Sequence, residues 1–155
     1  MATTHVPPAV LAAGAFVTQH ALARGRRPRG ILALLGGTLA ASSGVLLVAS
    51  VREFRGHRTT ITPVRVEQVS SLIRTGPFAR TRNPIYVSMA GVLIAHAIAR
   101  RSAAALIPAA AFVGLINRLQ IAREEDALHE AFGAEYRAYA ETVPRWVGRR
   151  SVRRN

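Results

Sequence analysis

Apolar and polar residues alternate along this chain in blocks, far longer than the rhythms of a half-buried strand or a surface helix. Four blocks are apolar, at residues 8–23, 31–51, 85–99 and 102–122. Spanning a bilayer as a helix takes roughly 20 residues, with about 17–25 as the working range. The second and fourth blocks meet that length. The first is shorter and carries Gln19 and His20, and the third is shorter and carries His96. Thinning of the bilayer or a re-entrant path accommodates segments of that size. The pattern predicts an all-α, polytopic integral membrane protein with about four transmembrane or embedded helices and a C-terminal cytosolic helical extension.

The first block also reads as a signal peptide, because Ala21-Leu22-Ala23 has small residues where cleavage occurs. Against this, no basic residue precedes the apolar run and the second block follows almost at once. Gly36, Gly37, Ala40, Ala41, Ser42, Ser43 and Gly44 crowd the second block and predict close helix–helix approach within one chain, with homo-oligomerisation left open. Arginine placement favours both termini on the cytoplasmic side of the inner or plasma membrane. The inner regions then hold Arg52, Arg55, Arg58, Arg65, Arg74, Arg80, Arg82 and the basic C-terminus, and the outer loops hold Arg24, Arg26, Arg27, Arg29, Arg100 and Arg101. The stretch 52–83 is too long for a plain connector, and Thr59, Thr60, Thr62, Pro63 and Gly76-Pro77 suit an ordered loop at the membrane surface.

Composition sharpens this picture. Half of the 155 residues are hydrophobic, yet the net charge is +13 and every one of the 21 basic residues is arginine. A pI near 11.9 often accompanies nucleic-acid binding. Here the arginines flank apolar runs, so anionic lipid headgroups are the expected counter-charge and nucleic acid is not an expected partner. With no cysteine, disulfides, thiolate metal sites and a cysteine nucleophile are excluded. No metal site is expected.

Two stretches carry candidate chemistry. In the first, Gly76-Pro77 makes a turn, and Asn83-Pro84 opens the third apolar helix beside Arg80 and Arg82. Pro suits a first helical turn and Asn suits an N-cap, so free N–H groups and two guanidiniums predict an anion site. The second stretch leaves the fourth block. Asn117, Ile121, Glu124 and Leu128 fall on one helical stripe, and Arg118, Glu125 and His129 on the next. Gly133 is placed to end that helix. Most of the eight acidic residues lie between Glu124 and Glu141, which asks for a cationic partner or for pairing with arginine. Tyr136, Tyr139 and Trp146 are candidate membrane-interface anchors.

Taken in order, Gly76-Pro77-Phe78, Arg82-Asn83-Pro84-x-Tyr86, a helical hairpin, Glu124-Glu125-x-x-Leu128, Phe132-Gly133-x-x-Tyr136-x-x-Tyr139 and Val143-Pro144-Arg145 resemble the isoprenylcysteine carboxyl methyltransferase family and the related phospholipid methyltransferases. The resemblance covers roughly residues 59–146. It implies one methyltransferase-like domain over 1–155, with two N-terminal transmembrane helices in 8–51 and the catalytic core in 52–155. It implies S-adenosylmethionine as cofactor, in a cytosol-facing pocket, and a lipophilic small molecule or lipid arriving from the bilayer as methyl acceptor. Cofactor-binding residues implied are Gly76, Pro77, Arg82, Asn83, Pro84, Tyr86, Glu124, Glu125, Tyr136 and Tyr139, and Arg145 and Glu125 are the implied catalytic residues. An arginine beside a helix N-terminus suits the cofactor's carboxylate, the glutamates suit its ammonium or ribose hydroxyls, and tyrosine rings suit its sulfonium.

Eukaryotic prenylcysteine enzymes commonly show His at the position of Asn83, which cannot titrate. A carboxylate acceptor needs no general base, in keeping with the scarcity of candidate bases among His57, His96 and His129. Two other readings are a membrane reductase of the sterol-reductase type using NADPH, and a membrane scaffold without activity. The reductase type tends to an aromatic-rich version of the Gly76-Pro77-Phe78 turn, which this chain lacks.

Overall fold

A computed structural model describes residues 6–56 and 71–148. Thr59, Thr60, Thr62, Pro63, His57, Arg58 and Arg65 of the long polar stretch, and the last seven residues of the basic C-terminus, lie outside the described residues. The four apolar blocks are helical, and no strand occurs among the described residues. Helix α1 is Pro8–Leu22, α2 is Gly30–Gly56 and α3 is Pro84–Ala99. The fourth block enters by a short 3₁₀ turn, Ala103–Ala105, and becomes α4, Leu106–Leu115. It continues through a π-helical turn, Ile116–Ile121, into α5, Ala122–Thr142.

The outward faces are greasy. Ile31, Leu34, Val45, Val17 and Ile107 are each about two-thirds exposed, which suits lipid and not water. At 1.5 Å per residue, α2 is roughly 40 Å long, enough to cross the bilayer and carry Arg52 to Gly56 beyond it. Helices α1 and α3, at 15 and 16 residues, are shorter apolar helices; α3 packs against α2, and α1 against α3 and α4. The protein is thus an all-α membrane protein. Its core joins Tyr86, Ala90 and Leu93 of α3 to Ala109, Phe112, Ile116 and Ile121 of the long helix, with Leu11, Ala12 and Ala15 of α1 against them. That packing makes α1 part of the bundle.

Close approach of α2 and α3 rests on small residues, as the composition of the second block predicts. Gly36, Ser43 and Ser50 recur every seven residues and are buried. A Cβ on Gly36 would sit 2.7 Å from the Ala95 carbonyl oxygen and 2.7 Å from Ala99 Cβ, whereas Gly37, one residue on, faces open space.

A buried amide closes the far end of the bundle. Gln19 Nε2 donates to the carbonyls of Leu93, inside α3, at 3.0 Å and of Ala105, in the turn before α4, at 2.6 Å, tying α1 to both. A buried amide in an apolar bundle needs such acceptors, since lipid supplies none.

Gly133 stops the helix as its placement predicts: at φ 50° and ψ −116° it is non-helical and breaks α5 in two. A second helical stretch, retained because Tyr136 and Tyr139 are buried on it, then runs to Thr142. That burial corrects one expectation, since those two tyrosines are core residues and not interface anchors.

Replacing Gly36 and Gly37 separately by Ala tests the small-residue contact. Gly37→Ala gains helix propensity of about 0.5–1 kcal/mol, while Gly36→Ala overpacks the α2–α3 contact at a cost of about 1–3 kcal/mol. Thermal unfolding in detergent is expected to show the two variants moving in opposite directions.

Candidate functional site at the polar end of the bundle

Three segments distant in sequence meet where α3 begins. The first is the 3₁₀ turn Gly76–Ala79, whose Gly76 adopts a left-handed φ of 56°. Thr75 beside it donates to the Glu53 carboxylate of α2, and the Phe78 ring meets Phe54 edge-on with centroids 5.2 Å apart. The Phe78 carbonyl accepts from Tyr139 Oη at 2.7 Å. Gly76, Pro77 and Tyr139 therefore frame the site and set the path of the chain into Arg82.

The second segment is the turn from the long helix into α5. A π turn takes one more residue per turn than an α-helix, so everything after it is rotated by about 100°. Asn117 and Glu125 would lie about 80° apart on an unbroken α-helix, and with the extra residue absorbed they come within about 20°. The stripe assignment made from sequence is corrected accordingly. Asn117 shares its face with Glu125, and Glu124 turns away to a different set of partners.

The third segment is the tail after α5. Residues 143–146 run as a strap across the start of α3. The Arg82 N–H donates to the Pro144 carbonyl at 2.9 Å. The Arg145 carbonyl accepts from Thr81 Oγ1 and from Asn83 Nδ2, each at 3.0 Å. Asn83 thus occupies the N-cap position without capping by its side chain, which is turned to the strap. That corrects the expected N-cap bond. The amide and the Thr81 hydroxyl together satisfy both acceptor positions of that carbonyl.

At the centre of these segments sits Glu125. Its carboxylate takes a two-pronged contact from Arg145, Nε at 3.0 Å to Oε1 and Nη2 to Oε2, and an ion pair from Arg82 Nη2 at 3.2 Å. The Arg82 and Glu125 side chains are 9% and 13% exposed, so this pairing lies largely out of water. Asn117 Oδ1 accepts from Arg145 Nη1 at 3.1 Å and from Trp146 Nε1 at 3.2 Å. Arg82 Nη1 also donates to Tyr136 Oη at 3.3 Å, and its guanidinium lies 5.9 Å from the Tyr136 ring centroid. Next to this group, Glu124 Oε1 accepts from Tyr86 Oη and from Gln120 Nε2, both at 2.7 Å. The acidic cluster is paired with arginine elsewhere too, as in the exposed Arg74–Glu135 bridge at 3.0 Å.

Electrostatics follow from the burial. The hydrogen bonds to Glu125 raise the Arg145 guanidinium above its already high value and lock its charge. Burial pushes the Tyr136 phenol up, with the nearby Glu125 carboxylate adding to it. Burial also raises the Tyr139 phenol, with Tyr136 next in effect.

A sequence model described as phospholipid methyltransferase matches residues 31–135. The chain belongs to that family. It is therefore related to membrane methyltransferases, which agrees with the resemblance carried by its motifs. An uncharacterized protein of Haemophilus influenzae is 38% identical over 63 residues, a stretch covering 41% of this chain and all of that protein. No solved structure matches the chain.

Of the residues singled out in the methyltransferase sequence, Arg82, Asn83, Tyr86, Glu124, Glu125, Tyr136 and Arg145 come together at one end of the bundle. Pro84 is buried as the first residue of α3. Asn117 and Gln120 join them without having been proposed as site residues, and His129 lies edge-on to Tyr136 with centroids 4.7 Å apart. Two polar residues at the end of a long apolar run were the available signal for Asn117 and Gln120, since lipid offers them no partner.

The tyrosines yield a pH test. With no lysine and no cysteine, the three tyrosines are the only side chains that titrate between about pH 8 and 12. A phenol whose folded value is raised contributes fully below the unfolded value of about 10, and its contribution is lost as pH climbs toward the folded value. Stability should accordingly hold to about pH 10 and fall above it. Tyr139→Phe should cost about 1–3 kcal/mol at neutral pH by stranding the Phe78 carbonyl, and should flatten the alkaline fall. Thermal unfolding at neutral and alkaline pH measures both, and an unchanged alkaline slope in Tyr139→Phe would assign the loss elsewhere.

Proposed function

We propose that this chain is an S-adenosylmethionine-dependent methyltransferase that modifies a lipophilic acceptor, a carboxylate or a lipid headgroup, with its site on the cytoplasmic face of the inner or plasma membrane. One observation supports this reading above the others. Arg82 Nε is buried and has no hydrogen-bond acceptor among the described residues, although the rest of its guanidinium is engaged. A stranded guanidinium donor costs free energy unless an acceptor meets it. The cofactor's carboxylate fits such a position.

The surrounding groups suit the remaining parts of that molecule. Glu124, hydrogen-bonded to Tyr86, is the carboxylate for the cofactor's ammonium or ribose hydroxyls, and the ring faces of Tyr86 and Tyr136 suit a sulfonium. When bound, S-adenosylmethionine supplies a methyl group that passes to the acceptor's oxygen or nitrogen as the methyl–sulfur bond breaks and the sulfur keeps the electron pair. The chain's own part is positioning and exclusion of water, which can account for much of the barrier in an in-line transfer. Arg145, about one-third exposed, is the group that faces an acceptor's negative charge, while Glu125 and Asn117 hold its guanidinium in place. The strap at 143–146 covers the start of α3 and shields it from water. A cytoplasmic orientation is supported by the seven arginines between 52 and 82 and those of the tail, against six in the two opposite loops.

Binding of S-adenosylmethionine to the full chain in detergent, followed by calorimetry, is the direct test. Arg82→Lys keeps the charge and loses the planar donor fork, so it should weaken binding by about 1.5–3 kcal/mol, while Asn83→His should retain binding and activity. Incubation with methyl-labelled cofactor and a lipid extract, read by mass spectrometry, identifies the acceptor. No binding by the wild-type chain would favour a scaffold, and binding of NADPH instead would favour a reductase. Equal affinity in Arg82→Lys, with the fold intact, would remove the guanidinium fork from the site.

A further inference from the structure

The end of the bundle opposite this site carries a second concentration of charge that the methyltransferase reading does not use. The α1–α2 turn supplies Arg24, Arg26, Arg27 and Arg29, and the end of α3 supplies Arg100 and Arg101. The two turns are tied by a hydrogen bond of 2.7 Å from Arg26 Nη1 to the Arg101 carbonyl. Between them lies a cleft of about 620 Å³, lined by Gly25, Arg26, Arg27, Pro28, Arg29 and Arg101.

Four further features mark this cleft. Every acidic residue among the described residues is Glu53 or lies in 124–141, at the other end of the molecule, so nothing acidic offsets these arginines locally. The backbone is shaped to hold them. Gly25 and Gly30 take left-handed φ values of 79° and 59°, and Arg101 does so at 55°, a conformation that costs about 1–3 kcal/mol in a residue with a side chain. Helix α2 begins at Gly30, so the positive end of a 27-residue helix opens on the cleft. Immediately beyond it, Ile31 and Leu34 are 67% and 68% exposed, which puts the arginines at the boundary where an apolar surface starts.

We propose that this cleft binds the phosphate of an anionic phospholipid headgroup in the leaflet opposite the methyl-transfer site. Its cationic groups recognise the phosphate, and the exposed apolar start of α2 lies alongside the acyl chains. That apolar continuation is what favours a lipid over a soluble anion. Guanidiniums suit the task, because their planar forks match phosphate geometry and their charge does not titrate.

The full chain, released from detergent for native mass spectrometry, is the material for the test, with phosphatidylglycerol and phosphatidylcholine as probes. The wild-type chain should retain phosphatidylglycerol preferentially, and excess inorganic phosphate should not displace it. Arg27→Gln/Arg29→Gln removes two exposed charges and spares the Arg26–Arg101 bond. Retention should fall roughly fivefold per arginine, about 25-fold for the pair. The charge-matched control Arg123→Gln/Arg137→Gln on α5 should bind like the wild type. Equal retention of the two lipids by the wild-type chain overturns the proposal without any variant. Equal losses in the two double variants would show diffuse surface attraction, and displacement by inorganic phosphate would show a soluble-anion site, either of which also overturns it.

Discussion

The polar end of this protein depends on one carboxylate held between two guanidiniums. Glu125 receives Arg82 from the start of α3 and Arg145 from the tail, so a single side chain joins three segments that share no secondary structure. In this setting neither arginine has a cheap alternative. Moving a buried ion away from its partner costs several kcal/mol, and loss of Glu125 would leave two positive charges beside each other. The strap at 143–146 is held as a consequence. Its backbone hydrogen bonds to Thr81, Arg82 and Asn83 form only because Arg145 is anchored from the other side.

That anchoring in turn requires the π turn. A regular helix through Ile116–Ile121 would rotate Glu125 away from Asn117, and Arg145 could not reach both. A π turn forgoes regular i to i+4 bonding, and such turns are found often at functional sites. The turn sits where the long helix passes from the apolar core, with Ile116 and Ile121 fully buried, to the polar end. Apolar packing on one side thus holds the irregular turn, and the turn sets the angular position of the charged residues beyond it.

What could be read from the sequence divides along the same line. The helices were legible because lipid imposes a simple rule, an unbroken apolar run of sufficient length, and the observed α1 to α3 agree closely with the expected blocks. The meeting of Arg82, Glu125 and Arg145 was legible as a set of residues from the family resemblance. Their pairing was not, because it depends on helical phase. Counting in steps of three and four assumes 3.6 residues per turn, so Asn117 was placed with Glu124 and not with Glu125. Gly133 was legible as a helix stop, but the second helical stretch beyond it was not, because it is held by the burial of Tyr136 and Tyr139. Gln19, a polar residue in a short apolar block, is the donor for one carbonyl inside α3 and one in the turn before α4.

The replacement of every lysine by arginine acquires physical content at these two ends. A lysine in a site as dry as that of Arg82 would be pushed toward its neutral form by desolvation, and the ion pair with Glu125 would weaken as it titrated. Arginine stays charged there, and three of its donors can be used in different directions at once. Arg145 does this with Nε and Nη2 toward Glu125 and Nη1 toward Asn117. The same property keeps the cleft between the α1–α2 turn and Arg101 positive across the pH range in which the bilayer's phosphates are charged. Fixed arginine charge thus stands at both membrane surfaces, with an apolar bundle between.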